Sequence, residues 1–182
     1  LFNGRGRGRM RDKMYYLMDS AERCKKNLRD LGIPFSEGTV FVLEKRSTKS
    51  TWGKCTRRYG EFTVTIDPML CDGKHIFGLD STMYHELLHT CPDCWDHGKT
   101  WKHYAEIVNQ NTGALVQRAD SAENKGVSRE EYLAAIKPKY AYKCKGCGQM
   151  VYKMRACAFT KHPERYRCGI CKSDFVMVNV EY

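Results

Sequence analysis

His85-Glu86-Leu87-Leu88-His89 is the stretch that decides how this chain is read. On an α-helix the two histidines lie one turn apart on one face, so both rings can offer a nitrogen to a single Zn²⁺. Glu86, next to the first ligand, can then reach a water on that ion and take its proton. Two ligands and a general base in one short segment are what a water-activating peptidase requires.

Working outward, Phe77, Leu79, Met83 and Leu87 give the segment an apolar side, with Asp80 and Ser81 as candidate caps. Thr90-Cys91-Pro92 should stop the helix, because proline disfavours helical geometry in the residue before it. Two histidines leave zinc coordinatively short, so a third ligand must return from elsewhere. His97 stands where a short reversal would bring it back, and its spacing and ligand type favour it. Cys91, Cys94, Glu106 and Glu123 are chemically possible as well. Asp96 is a candidate cap for the next helix, where Trp101, Ala105 and Val108 recur at helical spacing. His97 would project from the first turn of that helix.

Tyr84-His85-Glu86-Leu87-Leu88-His89, then Cys91-Pro92-Asp93-Cys94 and His97-Gly98-Lys99-Thr100-Trp101, resemble the SprT-like zinc metallopeptidases, whose eukaryotic branch is Spartan. That family pairs an HExxH helix with an HGxx(F/W) segment carrying the third histidine. Trp52-Gly53-Lys54-Cys55 is similar to the strand region before its active-site helix, and many members end in a zinc ribbon. The likeness covers most of residues 12–182; the Cys-x-x-Cys insert is not shared by all relatives. It implies a zincin-like α+β domain with a small antiparallel sheet and active-site helices. It also implies His85, His89 and His97 as ligands of a catalytic zinc, with Glu86 as base. Cleavage of DNA-bound or DNA-crosslinked proteins is associated with the Spartan branch.

Cys144-Lys145-Gly146-Cys147 and Cys168-Gly169-Ile170-Cys171 form a second constellation. Two Cys-x-x-Cys knuckles about 20 residues apart match a four-cysteine zinc site. Gly146, Gly148 and Gly169 would let backbone amides approach the sulfurs. Such a site is coordinatively closed, so its zinc is structural. The competing reading, two disulfides in an oxidised module, fits poorly with a chain that shows no secretory h-region. Cys91 and Cys94 make a third pair, read as packing residues rather than as a regulatory metal site or a redox disulfide, because a pair fills only half a structural site. Cys24, Cys55, Cys71 and Cys157 read as small buried hydrophobes.

The chain of 182 residues carries ten cysteines and a net charge of +10, enough for one core domain and a small appended module. No apolar run approaches a membrane span, so a cytoplasmic location is expected, with association with the nucleoid compatible. Residues 1–11 are an Arg-Gly tract with nothing to bury, predicted to be disordered and suited to contacting nucleic acid. In the last segment Lys143, Lys145, Lys153, Arg155, Arg165 and Arg167 alternate with Tyr142, Tyr152, Phe159 and Tyr166. Charge that tracks a backbone beside aromatic faces suits single-stranded nucleic acid, single-stranded DNA above all.

The organisation expected is a basic tail over residues 1–11, a zincin-like domain over 12–138 and a β zinc ribbon over 139–182. Within it, residues 11–31 should be an amphipathic helix ending at Gly32. Val40–Leu43, Thr51–Thr56 and Phe62–Ile66 read as strands, the last two joined by a hairpin at Arg58-Tyr59-Gly60-Glu61. Residues 112–127 read as a polar linker, and Ser128-Arg129-Glu130-Glu131 as a capping box opening a short helix. The function expected is zinc-dependent peptide hydrolysis on protein substrates on or near nucleic acid, with one catalytic and one structural zinc and no small-molecule cofactor. The alternative is a nucleic-acid-binding zinc-ribbon protein whose histidine site is non-proteolytic. An intact Glu86 argues against it, because metal binding alone has no use for that carboxylate.

Overall fold

The computed structural model describes residues 4–44, 51–119 and 121–179, with side chains from residue 10 onward. The chain divides after Val127 into two compact units. The first is α+β. Helix α1 (Gly4–Asp30) leads into strand β1 (Val40–Leu43) and the hairpin strands β2 (Gly53–Arg58) and β3 (Glu61–Ile66). Helices α2 (Ile76–Leu88) and α3 (Lys99–Thr112) follow, then a single 3₁₀ turn at Glu123–Lys125.

Helix α1 buries Leu17, Ala21, Cys24 and Leu28, the predicted three-and-four spacing. It closes at Gly32, whose φ of +67° permits the left-handed turn, with Ile33 N–H bonded to Leu28 O at 2.9 Å and Gly32 N–H to Arg29 O at 3.0 Å. Its start corrects the expected boundary: backbone of the Arg-Gly tract from Gly4 is helical, while residues 1–3 lie outside the described residues. Arginine is a good helix former, and a helix already nucleated by its buried face gains a hydrogen bond for each residue added.

The first sheet has the order β1-β3-β2. β2 pairs antiparallel with β3 through a turn in which Tyr59 and Gly60 both have positive φ, 50° and 89°. β1 runs parallel to β3, so the sheet is mixed, not antiparallel as expected. A strand pattern in the sequence marks a strand and its buried side but carries no sign of direction. β1 joins the edge of β3 that the hairpin leaves open.

Helix α2 is the hub: it packs on α1, on β2 and β3, and on α3. Nine of its residues are buried, including Leu79, Met83, Leu87 and Leu88. Truncating one such leucine to alanine should cost about 2–5 kcal/mol. A polar ladder sets its register on α1. Ser20 Oγ donates to Asp80 Oδ1 at 2.6 Å, Arg23 reaches both Asp80 oxygens at 2.8 and 3.0 Å, and one turn on Asn27 Nδ2 donates to the Tyr84 hydroxyl at 2.6 Å. Asp80 and Ser81 are therefore interior to α2 and not its caps; His75 precedes the first turn. No helix among the described residues is long and apolar enough to cross a membrane.

The second unit opens with α4 (Arg129–Ile136), whose capping box is formed by Ser128 and Glu131 as expected. It therefore starts earlier than the predicted boundary at residue 138. Three antiparallel strands, β4 (Tyr140–Cys144), β5 (Met150–Lys153) and β6 (Phe175–Val178), are ordered β5-β4-β6, with a one-turn helix α5 (Ala158–Lys161) between the last two in sequence.

Candidate metal centres

The helical spacing of His85 and His89 does what it predicts, and the loop after Pro92 returns His97 to them. The Nε2 atoms of His85 and His89 are 3.3 Å apart, and those of His85 and His97 3.0 Å. Ligand nitrogens at about 2.0–2.1 Å in a tetrahedral zinc site stand roughly 3.3–3.4 Å from one another, so the cluster has the dimensions of three corners of such a site. The hydrogen bonds on the far side of the rings fix which nitrogens are available. His85 Nδ1 faces Gln117 O at 2.8 Å and His89 Nδ1 faces Cys94 O at 2.9 Å. A carbonyl only accepts, so both Nδ1 atoms must carry the proton and both Nε2 atoms bear lone pairs. Lone pairs converging at these distances call for a cation between them. Burial, then the neighbouring His89 and His97, pushes His85 down to about 3, and burial also lowers His89 and His97. The imidazoles are thus neutral near pH 7, the state that binds metal.

Among the described residues the cluster holds the three histidines and none of the other candidates. Glu106 and Glu123 are exposed elsewhere, while Cys91 and Cys94 are buried. Burial pushes the Cys91 thiol up to about 12, which keeps it protonated and unreactive. The pair instead forms the tight turn that delivers the Cys94 carbonyl to His89. His97 lies ahead of α3, not in its first turn, and Asp96 is not the cap: Gly98 is, with its N–H bonded to Asp96 Oδ1 at 3.0 Å. Trp101, buried at 2% exposure, carries all three rings on its indole, with centroids 4.9, 5.8 and 4.6 Å from those of His85, His89 and His97.

Glu86 lies against β2. Its carboxylate accepts the Cys55 N–H, and burial pushes it up to about 8 against that hydrogen bond and the nearby Lys125 charge. The approach is possible only because residue 53 is glycine: a Cβ there would come within 2.8 Å of Glu86 Cγ and Oε1. A glycine inside a strand pattern is a recognisable sign of such close approach, yet Gly53 was not singled out by its chemistry. Asp67 N–H donates to Trp52 O at 2.9 Å, and antiparallel pairs alternate, so Lys54 and Thr56 bond inward to β3. Gly53, Cys55 and Arg57 direct their backbone groups outward, along the edge that β2 presents among the described residues.

A cleft of about 110 Å³ opens here, lined by Trp52 and Gly53 at the start of β2, by His85 and Glu86, and by Arg118 and Lys125. The last two come from the segment read as a linker. Its apparent polarity misled because its backbone is anchored by polar side chains of the helices. Leu115 N–H bonds Ser81 Oγ at 3.0 Å, and Asn109 clasps both backbone groups of Val116 at 2.7 and 3.1 Å. Lys125 sits directly on α2, where a Cβ at Gly78 would meet its carbonyl at 2.3 Å.

In the second unit the four predicted cysteines come together, with ligand atoms all within 4.8 Å of one another, and can hold a metal ion such as zinc. Cys144 and Cys171 sulfurs are 3.3 Å apart, Cys147 and Cys168 3.6 Å. These are well beyond the ~2.05 Å of a disulfide. Backbone N–H groups of Ile170 and Cys171 reach Cys168 and lower it, and the Ser173 hydroxyl and amide bring Cys171 down to about 6. Both effects favour the thiolate that a metal needs. Gly146 is required: a Cβ there would lie 2.9 Å from Cys171 Sγ and 2.3 Å from Ser173 Oγ.

The aromatic residues of this unit answer differently from the prediction. Phe159 packs against Tyr142, Tyr166 and Phe175 at 4.8–5.3 Å between centroids, a small core in place of open stacking faces. Tyr152 is engaged by Arg129, leaving Tyr166 as the exposed ring, at 39%. Of the basic residues, Arg167 pairs with Asp174 at 3.1 Å and Arg165 lies 3.9 Å from Glu164. Lys153 sits over the Phe159 ring. Lys143, Lys145 and Arg155 are exposed, with no ion pair among the described residues.

No family model matches the chain, and no curated protein is significantly similar to it.

Proposed function

We propose that the protein is a zinc-dependent metallopeptidase of the SprT-like kind, acting on protein substrates on or near nucleic acid. The observation that carries the reading is the convergence of three histidine ring nitrogens beside a buried carboxylate that faces a strand edge. His85, His89 and His97 would hold the metal and leave a coordination position open. Zinc bound there would polarise a peptide carbonyl and draw the pKa of a water towards about 7.

With the charge of a bound cation beside it favouring the carboxylate, Glu86 would accept the proton of the attacking water and pass it to the leaving nitrogen. Its contact with the Cys55 N–H orients the carboxylate, and its burial excludes competing solvent. The outward groups of Gly53 and Arg57 and the Cys55 carbonyl can pair with an extended peptide, a mode that reads backbone more than side chain. Broad cleavage specificity follows, and selection of the target falls to another part of the chain. Lys143, Lys145, Arg155 and Tyr166 are the residues of the second unit suited to that task, with single-stranded DNA the favoured partner. Its cysteines would hold a structural zinc. A cytoplasmic location fits this chemistry.

The test is hydrolysis of an unstructured protein with and without single-stranded DNA, wild type against Glu86→Gln, with zinc measured on both. About two zinc equivalents and loss of turnover in the variant support the reading; about one equivalent and no turnover in the wild type favour a non-proteolytic nucleic-acid-binding protein.

A further inference from the structure

Peptide hydrolysis needs a donor for the carbonyl oxygen that gains charge as water attacks, and Glu86, an acceptor, cannot serve. Sequence alone offers Tyr84, His103 and several lysines. Tyr84 is buried with its hydroxyl accepting from Asn27 of α1, and His103 is exposed on α3; neither lines the cleft. Two cations do, Lys125 and Arg118. Lys125 is buried at 3% exposure where its backbone rests on Gly78, whereas Arg118 is exposed.

Arg118 is placed otherwise. It follows Gln117, whose carbonyl receives the His85 Nδ1–H, and the two residues before that are pinned to Ser81 of α2 and Asn109 of α3. Three consecutive residues are thus anchored next to a metal ligand, so Arg118 stands on a held platform. It lines the cleft together with His85 and Glu86, and it has no hydrogen bond or ion pair among the described residues. A guanidinium stays charged at every working pH, and its uncommitted N–H groups can form charge-assisted bonds to an oxyanion.

We infer that Arg118 is a catalytic residue that donates to the oxygen of the scissile carbonyl as its charge develops. The inference rests on the peptidase reading. With the zinc-loaded full chain, Arg118→Ala should lower kcat by roughly 10²–10³-fold with KM within about twofold. It should weaken a phosphinic peptide, whose tetrahedral phosphorus carries charged oxygens, by a similar factor. Zinc content should not change, nor should the affinity of the uncleaved peptide measured in a Glu86→Gln background; Arg118→Lys should recover part of the loss. Unchanged kcat and phosphinic-peptide affinity would overturn the inference. So would a raised KM matched by weaker binding of the uncleaved peptide, which would make Arg118 a substrate anchor. A wild type that holds two zinc ions yet neither cleaves peptide nor binds the phosphinic probe removes the peptidase reading itself, and this inference with it.

Discussion

The histidine cluster and the cysteine cluster solve the same problem, gathering ligands around one point, by opposite means. The cysteines sit in two turns whose own amides support the sulfurs, and four donors close the site. The histidines come from a buried helix and a returning loop, and their support is distributed. Gln117 and Cys94 carbonyls orient two rings, Trp101 packs against all three, and Gly53 makes room for Glu86. Three donors leave a position open, with a carboxylate beside it. Local support and closure suit holding a small module together; distributed support and an open position suit chemistry.

The largest effect should come from the closed site. Small metal modules gain about 10–16 kcal/mol from structural zinc, more than the fold of a domain this size retains on its own. Cys168→Ser should therefore unfold residues 128–182, seen as lost amide dispersion in NMR, while the first unit keeps its spectrum. His89→Ala should do the reverse, losing one zinc with both units folded. If Cys168→Ser leaves the second unit folded, the contrast between the sites is wrong.

Next comes the base. Glu86→Gln should keep both zinc ions and lose about 10²–10⁴ in turnover, which is roughly 3–5 kcal/mol of barrier. The same residue should mark the zinc-free protein. Burial raises Glu86 from the ordinary 4.5 to about 8, so ionisation opposes folding. The penalty is absent below about pH 4.5, grows as pH rises to about 8 and stays in force above it. In chelator, Glu86→Gln should accordingly raise the melting temperature at pH 8.5 and leave it unchanged at pH 4. An equal effect at both values would mean that the carboxylate is not buried as described.

Gly53→Ala should follow, with about a hundredfold loss of turnover, since a displacement of about 1 Å in a reacting group costs that much. Zinc content should hold, because no ligand moves. A fully active Gly53→Ala would show that Glu86 has more room than the strand allows.

These residues also mark where sequence reading succeeds and stops. His85 and His89 were legible because a helix converts a spacing of four into one face, and the four cysteines because each knuckle is a local turn. The α1 face and the α4 capping box were legible for the same reason. What escaped acts through space or through backbone. Gln117 and Cys94 serve by their carbonyls, which every residue has. Gly53 serves by what it lacks. The polar run 112–127 looked like a linker because the partners that hold it, Ser81 and Asn109, are distant in sequence. Direction of β1 and the packing of Phe159 against its neighbouring rings are tertiary outcomes that alternation of residue types does not encode.

The smallest effect sharpens the functional side of the comparison. If the closed site serves to present a binding surface, that surface must consist of the charges the module does not use internally. Arg165 and Arg167 face acidic neighbours, Lys153 lies over the Phe159 ring, and Tyr142 and Phe159 form the core, so of the six basic residues expected to contact nucleic acid Lys143, Lys145 and Arg155 are left. Each phosphate contact on a single strand contributes about 0.7 to the slope of log K against log salt. Replacing the three by alanine should therefore flatten that slope by about 2 and weaken single-stranded DNA at low salt, with zinc content and peptide turnover unaltered. Loss of affinity with an unchanged slope would point to a disturbed fold. An unchanged slope and affinity would move the nucleic-acid contact off this unit, and the Arg-Gly tract would be the next segment to substitute.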